Sequence, residues 1–358
     1  MKRRPPLSRR TFLKLTVTVA AGAALAGCSP QESPSLPSDT ATGEATSSAP
    51  PSPTTRIVPS DTSASEATPA QTNPTETVSP NPEPSPTTSP AYLAVAHGPD
   101  PAAITRAAIE ALGGMASFVS LGYDVIIKPN ICTDYHPPEY ATTTNPSVVG
   151  TLVSLCLEAG AKRVRVMDYP FGGTPQSAYA ISGIAEAVEA VGGEMHIMSR
   201  PKYTRVDIPQ GKDLTRVEIY PDILEADLLI NVPIAKHHGS TRLTLGGKNL
   251  MGVILDRNQM HMNLTQRIAD LTSLVRPALT VIDAVRILTN HGPTGGNLED
   301  VQQMDTIIAS RDIVAADAYA TTLFGLTAAD IGYIQASAEL GLGTMDLTSI
   351  NIQELNLG

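Results

Sequence analysis

NPSVVGTLVSLCLEAGAKRVRVMD, residues 145–168, carries the reading of the fold. Asn145 supplies a side-chain oxygen to cap a helix, and Pro146 follows at the first helical position, where its missing N–H is no loss. Apolar residues recur at helical spacing until Gly160 ends the helix, and Arg163 to Asp168 is then a run of strand length. A helix delivered directly into a strand is half of a strand–helix–strand unit.

The same alternation extends in both directions. Upstream, Tyr92 to Ala96 and Asp124 to Lys128 read as strands, with a helix from Pro101 to Leu112 capped by Asp100 between them. Downstream, Thr174-Pro175 repeats the capping device and predicts a helix to Val191. Further strands are expected over Glu194 to Met198, Arg216 to Tyr220, Asp227 to Val232, Leu279 to Asp283, Thr306 to Ala309 and Ser349 to Gln353. Helices are expected over Leu264 to Val275, Ile313 to Leu323 and Ala328 to Leu340. Continuous Val, Ile and Leu runs alternating with helices indicate an α/β fold: a single globular domain, residues 91–358, with a largely parallel sheet and helices on both faces.

The rest of the 358-residue chain has a different composition. Residues 1–28 hold six basic side chains and no acidic one, with a twin arginine in SRRTFLK (Ser8 to Lys14) followed by an uncharged stretch from Leu15 to Gly27. That stretch is shorter than the roughly 20 residues of a membrane-spanning helix and has the layout of a secretory signal. It resembles the twin-arginine translocation signal. Leu25-Ala26-Gly27-Cys28 resembles the bacterial lipobox, which makes Cys28 the expected site of lipidation and places the protein on the outer face of the cytoplasmic membrane. Residues 29–90 carry 14 prolines and 25 Ser or Thr, so they cannot form a core and read as a disordered tether. The domain that remains has 18 basic and 28 acidic side chains. This acidity argues against a nucleic-acid partner, and the absence of Trp argues against aromatic stacking platforms.

In a parallel sheet ligands bind beyond the carboxyl ends of the strands. The polar residues there are Lys128, Asn130, Asp168, Asn231, Lys236, His237, His238 and Asp283. The section from Asn231 to Asn263 gathers two Lys, three His and four Asn among glycines. Lys128-Pro129-Asn130, Asn231-x-Pro233 leading to Lys236-x-His238, Thr244, and Lys248-Asn249 together resemble the domain-of-unknown-function 362 family. His261, Asp283, Gly292-Pro293 with Gly296, and Asp312 with Asp317 fit the same pattern. The resemblance supplies no reaction. Some members carry iron–sulfur modules, but with Cys28 assigned to the anchor only Cys132 and Cys156 remain, too few for the four thiolates of a cluster, so none is expected.

Gly246-Gly247-Lys248-Asn249 offers backbone N–H groups and an ammonium to an anion. It departs from a phosphate-binding P-loop at Arg242 and Asn249, and no GxGxxG occurs, so a dinucleotide is not expected. Lys236 is placed to hold a carboxylate or phosphate while His238, with an ordinary imidazole pKa, or Asp168 transfers a proton. Lys128, Asn130, Thr244, Lys248 and Asn249 complete the expected ligand set. His238 and His261 are the candidates in a competing, metal-binding reading. Cys156 lies on an apolar helix face and reads as core, whereas Cys132 is open between a nucleophile and a disulfide with Cys156. Two classes follow: an exported enzyme acting on a small anion, or a tethered binding protein using the same cradle without chemistry.

Overall fold

Val125 and Ile127 lie in one apolar core, and Ile126 between them lies in a second. Successive side chains of a strand point to opposite faces, so this strand is buried on both. The computed structural model describes residues 90–358; the twin arginine, Cys28 and the proline-rich stretch fall outside the described residues.

In chain order the strands and helices begin with β1 (Leu93–His97), α1 (Pro101–Ala111), β2 (Asp124–Pro129), α2 (Pro146–Glu158) and β3 (Arg163–Val166). Then come α3 (Pro175–Ile181), α4 (Ile184–Ala190), β4 (Glu194–Met195), β5 (Thr204–Asp207), β6 (Arg216–Ile219) and the short α5 (Asp222–Glu225). β7 (Leu228–Val232), β8 (Ile234–His238), β9 (Arg242–Thr244) and the single turn α6 (Gly246–Asn249) carry most of the site residues. The chain finishes with α7 (Leu264–Val275), β10 (Leu279–Leu288), β11 (Val301–Ser310), α8 (Ile313–Thr321), α9 (Gly332–Glu339) and β12 (Ile352–Asn356).

The main sheet runs β12-β1-β11-β10-β7-β2-β3-β4, with β8 on β10 and β9 on β8. It is mostly parallel, as expected. β11 is the exception along that path, antiparallel to both β1 and β10. Helices α1 to α4 supply Ile104, Ile109, Leu152, Val153 and Val188 to one core, while α7, α8 and α9 supply Ile268, Leu271, Ala316 and Ile334 to the other. The caps act as expected: Asn145 accepts from the Ser147 N–H and Asp100 from the Ala102 N–H, both at 2.9 Å.

Several expectations need correction. The helix expected from Pro175 to Val191 is two helices, because Gly183 between them takes a left-handed φ of 68°. Arg216–Ile219 is a strand, but it pairs with Thr204–Asp207 in a separate hairpin. The strand at Glu194 is two residues long, the last strand lies three residues later than expected, and α9 starts at Gly332 rather than Ala328. The section after Pro233, for which no strand was expected, carries a strand pair. Pro233 has no N–H to give the ladder, so β7 ends there; its carbonyl accepts from the Asp283 N–H at 2.9 Å and the chain resumes as the β8–β9 hairpin.

Candidate functional site

Lys128 lies near the end of β2 with a fully buried side chain, and its ammonium pairs with Asp168 at 2.7 Å. Asp168 follows β3 and also accepts the backbone N–H groups of Ile131 at 2.6 Å and Tyr169 at 2.9 Å. The carboxylate thus ties together the chains leaving two adjacent strands. Gly252 lets this pair form: a Cβ there would overlap Asp168 and lie 2.5 Å from the Lys128 ammonium.

Three amides brace the same wall. Asn249 donates to the side-chain oxygen of Asn231 at 2.9 Å, and its own oxygen accepts from Asn130 at 2.9 Å and Lys128 at 3.1 Å. Asn231 donates to the Gly246 carbonyl at 3.0 Å. The amide of Asn249, expected to hold a ligand, is therefore spent on positioning its neighbours. The N–H cradle at Gly246-Gly247 is also filled from within. Asp317, reaching from α8, accepts both N–H groups, at 2.6 and 2.9 Å. Burial pushes its carboxyl up to about 7, against the pull of those two bonds.

Lys236 extends from β8 and is almost fully buried. Its ammonium donates to the carbonyls of Thr142 at 2.6 Å and Pro293 at 2.9 Å, to Asn130 Oδ1 at 3.1 Å and to Cys132 Sγ at 3.4 Å. No carboxylate is among these partners. His238, two residues on, lies on the same side of the strand. Its Nδ1 accepts from the Ser240 N–H at 3.0 Å, which puts the proton of the neutral ring on Nε2. Burial, then Lys248 and Lys236, push its pKa down to about 3. The expectation of an ordinary imidazole pKa is overturned: at neutral pH His238 is an uncharged N–H donor.

A single cleft, with a cavity volume of about 60 Å³, brings these groups together. That holds a few waters or a small anion. Lys128, Asn130, Asp168, Lys236, His238, Thr244, Lys248 and Asn249 all line it. His261 does not; it is exposed, and no group of three or more His, Cys, Asp or Glu side chains able to hold a metal gathers among the described residues.

Cys132, Tyr169, Phe171 and Arg257 also line the cleft. Arg257 was not singled out in the sequence, although it lies in the same Asn231 to Asn263 section. It donates to the carbonyls of Met251, at 2.9 Å, and Tyr169, and lies over the Tyr169 ring 5.3 Å from its centroid. Burial lowers its pKa. Lys248 makes no side-chain hydrogen bond or ion pair among the described residues, and burial followed by Arg257 and Lys236 brings it down to about 8. Thr244 Oγ1 is buried with no partner. Cys132 and Cys156 are both free thiols, Cys156 in the apolar core as expected.

The model of one family, described as Domain of unknown function (DUF362), matches residues 125–322. The chain belongs to the DUF362 family. Every residue lining the cleft lies within the matched span. Another DUF362-like chain, the thylakoid-associated protein sll1697 of Synechocystis sp., is 28% identical over 252 residues, covering 66% of this chain and 74% of that relative. Among solved structures, the lactate racemase apoprotein of Thermoanaerobacterium thermosaccharolyticum aligns with a TM-score of 0.39 at 13% identity. That alignment covers 64% of the DUF362 chain and 56% of the racemase chain, little more than half of its length.

Proposed function

We propose that this DUF362 domain binds a small anionic molecule, a carboxylate or a phosphate, in the cleft between Lys236 and Arg257. The observation that carries the reading is a charge imbalance. Lys128, Lys236, Lys248 and Arg257 line the cleft against one carboxylate, Asp168, which is already paired with Lys128. Buried charges are normally paired, and an acidic domain that concentrates unpaired cations in one cleft is complementary to an anion. Lys248 and Arg257 supply charge, and His238 Nε2–H and the unpartnered Thr244 hydroxyl supply directional bonds. In this role His238 orients the anion as a neutral donor; it does not remove a proton.

Titration calorimetry with inorganic phosphate and with small mono- and dicarboxylates tests the proposal. Saturable binding that weakens in Lys248→Met supports it. No binding of any of them to the wild-type chain at millimolar concentration refutes it.

The address belongs to the same proposal. We read the chain as an exported lipoprotein, with Cys28 acylated and the domain hung on the 29–90 tether. The sequence features of residues 1–28 support this, and the thylakoid association of the Synechocystis relative agrees with a membrane setting. No helix among the described residues is long and apolar enough to cross a membrane. Labelled palmitate should enter the wild-type protein, and label retained by Cys28→Ala would overturn the anchor.

A further inference from the structure

We propose that Cys132 is the nucleophile of the cleft, acting on an electrophilic carbon of the bound anion. The inference rests on the anion-site reading above and goes beyond it by assigning a reacting atom.

A buried ammonium is costly unless paired, and Lys128 beside it has Asp168. Lys236 has only carbonyl and amide oxygens and one sulfur: Thr142 O, Pro293 O, Asn130 Oδ1 and Cys132 Sγ. Cys132 is the one ionisable group among them. Its sulfur lies 3.4 Å from the ammonium and 3.5 Å from the Thr142 carbonyl, which accepts its thiol proton, so the side chain is held between a cation and a carbonyl at the cleft wall.

A cysteine alone would not define a site, but the surroundings of this one point to a ligand. The Thr244 hydroxyl, on a residue only 3% exposed, lines the same cleft with no hydrogen-bond partner among the described residues. Lys248 lines it and makes no ion pair among the described residues. The loop that carries Cys132 is fixed on both sides, since Ile131 N–H donates to Asp168 and the Cys132 carbonyl accepts from the Phe171 N–H at 2.8 Å. A sulfur held this firmly is pre-organised for attack. Cys156 offers the opposite environment: wholly buried in the core, its thiol is pushed up to about 12 by burial.

The substrate class is a small carboxylate or phosphate that carries a carbon with a leaving group. Its anionic end lies on Lys248 and Arg257. The Cys132 sulfur gives its electron pair to the carbon, forming the S–C bond, and its thiol proton is released. The bond from carbon to the leaving group breaks, and that group departs with the bonding pair. Nothing is oxidised or reduced, and no co-reactant is needed.

Iodoacetate and iodoacetamide separate the two ideas, because they share a reactive carbon and differ in charge. The purified full chain is treated with each at neutral pH, and the peptides containing Cys132 and Cys156 are followed by mass spectrometry. Cys132 should be alkylated while Cys156 stays unmodified. Its preference for iodoacetate over iodoacetamide should exceed that of a free cysteine peptide by about tenfold or more. Lys248→Met should lower the iodoacetate rate far more than the iodoacetamide rate, removing most of that preference. Lys236→Met should slow both reagents, and a near-ultraviolet circular dichroism spectrum checks that it is folded. If neither reagent modifies Cys132 in a wild-type chain that still binds phosphate, the nucleophile is overturned and the anion site stands. If Cys132 reacts with only the preference of a free peptide, the proposed action on an anion is overturned.

Discussion

Replacing Lys248 by Met should make the unliganded protein more stable and the anion complex weaker. Met keeps most of the length and apolar surface of the lysine stem and removes the charge. In the empty cleft, burial and the neighbouring Arg257 and Lys236 bring the Lys248 ammonium from 10.5 down to about 8. A displacement of that size holds the charged form roughly 3 kcal/mol above its level in water, an upper figure because part of the side chain reaches solvent. Folding therefore carries this cost at every pH below about 8, where Lys248 is protonated in both states. It is relieved as the pH rises from about 8 towards 10.5, where the unfolded chain still holds the proton and the folded one does not. Lys248→Met removes the cost at neutral pH. A gain of about 1–3 kcal/mol corresponds to a rise of several degrees in Tm for a domain of this size. The same change removes a charge-assisted contact to the anion, worth about 1.5–3 kcal/mol, or roughly ten- to a hundredfold in Kd. Thermal melts without ligand and calorimetry with phosphate, run on the same preparations, read the two effects. A variant that melts lower and binds phosphate as tightly as wild type would refute the reasoning, because Lys248 would then be a structural residue.

Three further outcomes follow from the same groups. Affinity for a small carboxylate, which does not itself titrate in this range, should fall as pH rises through about 8, where Lys248 loses its proton in the empty cleft, and His238, held neutral down to about 3, should add no step of its own, so that His238→Gln leaves the pH profile unchanged in shape; calorimetry across pH checks both. Asp168→Asn strands the buried Lys128 ammonium and should cost about 3–5 kcal/mol, a fall of about 10 °C in Tm; an unchanged melt would mean that the pair carries no stability. Asp317→Asn turns an amide NH2 towards one of the N–H groups of Gly246 and Gly247, which should cost about 1–3 kcal/mol by denaturant titration; a neutral result would show that the turn at α6 does not need this carboxylate.

The layered fold was legible because both of its signals are local. Asn145-Pro146 and Thr174-Pro175 start their helices as the caps predict, and the Val, Ile and Leu runs become strands buried on both faces. β11 runs antiparallel because residues 289–300 join it to β10 with no α-helix to carry the chain across the sheet, a turn-back that strand periodicity does not encode. Gly183 illustrates a smaller failure: a glycine inside a helical pattern can be tolerated or can turn left-handed, and only the packing decides. The β8–β9 hairpin was hidden because Lys236, His237 and His238 look unlike a strand, and two of the three, Lys236 and His238, line the site.

The site was legible in membership and less so in role. All eight residues read as catalytic or ligand-binding line one cleft. The sequence could not say that the Asn249 amide braces the wall, that Asp317 occupies the N–H groups offered to an anion, or that His238 is held neutral. Those facts depend on partners far apart in the chain, Asn130 with Asn249 and Gly246 with Asp317. Arg257 was passed over because a single arginine between Asp256 and Asn258 carries no pattern; only burial against Tyr169 turns it towards the site.

Native mass spectrometry of the full chain, gently purified from its own cells, tests the central claim most directly. The account predicts that the protein carries a small anion, that dilution or competition with phosphate releases it, and that Lys248→Met carries much less of it. A chain that emerges with no bound anion, and that gains none when phosphate or a small carboxylate is added, would contradict it.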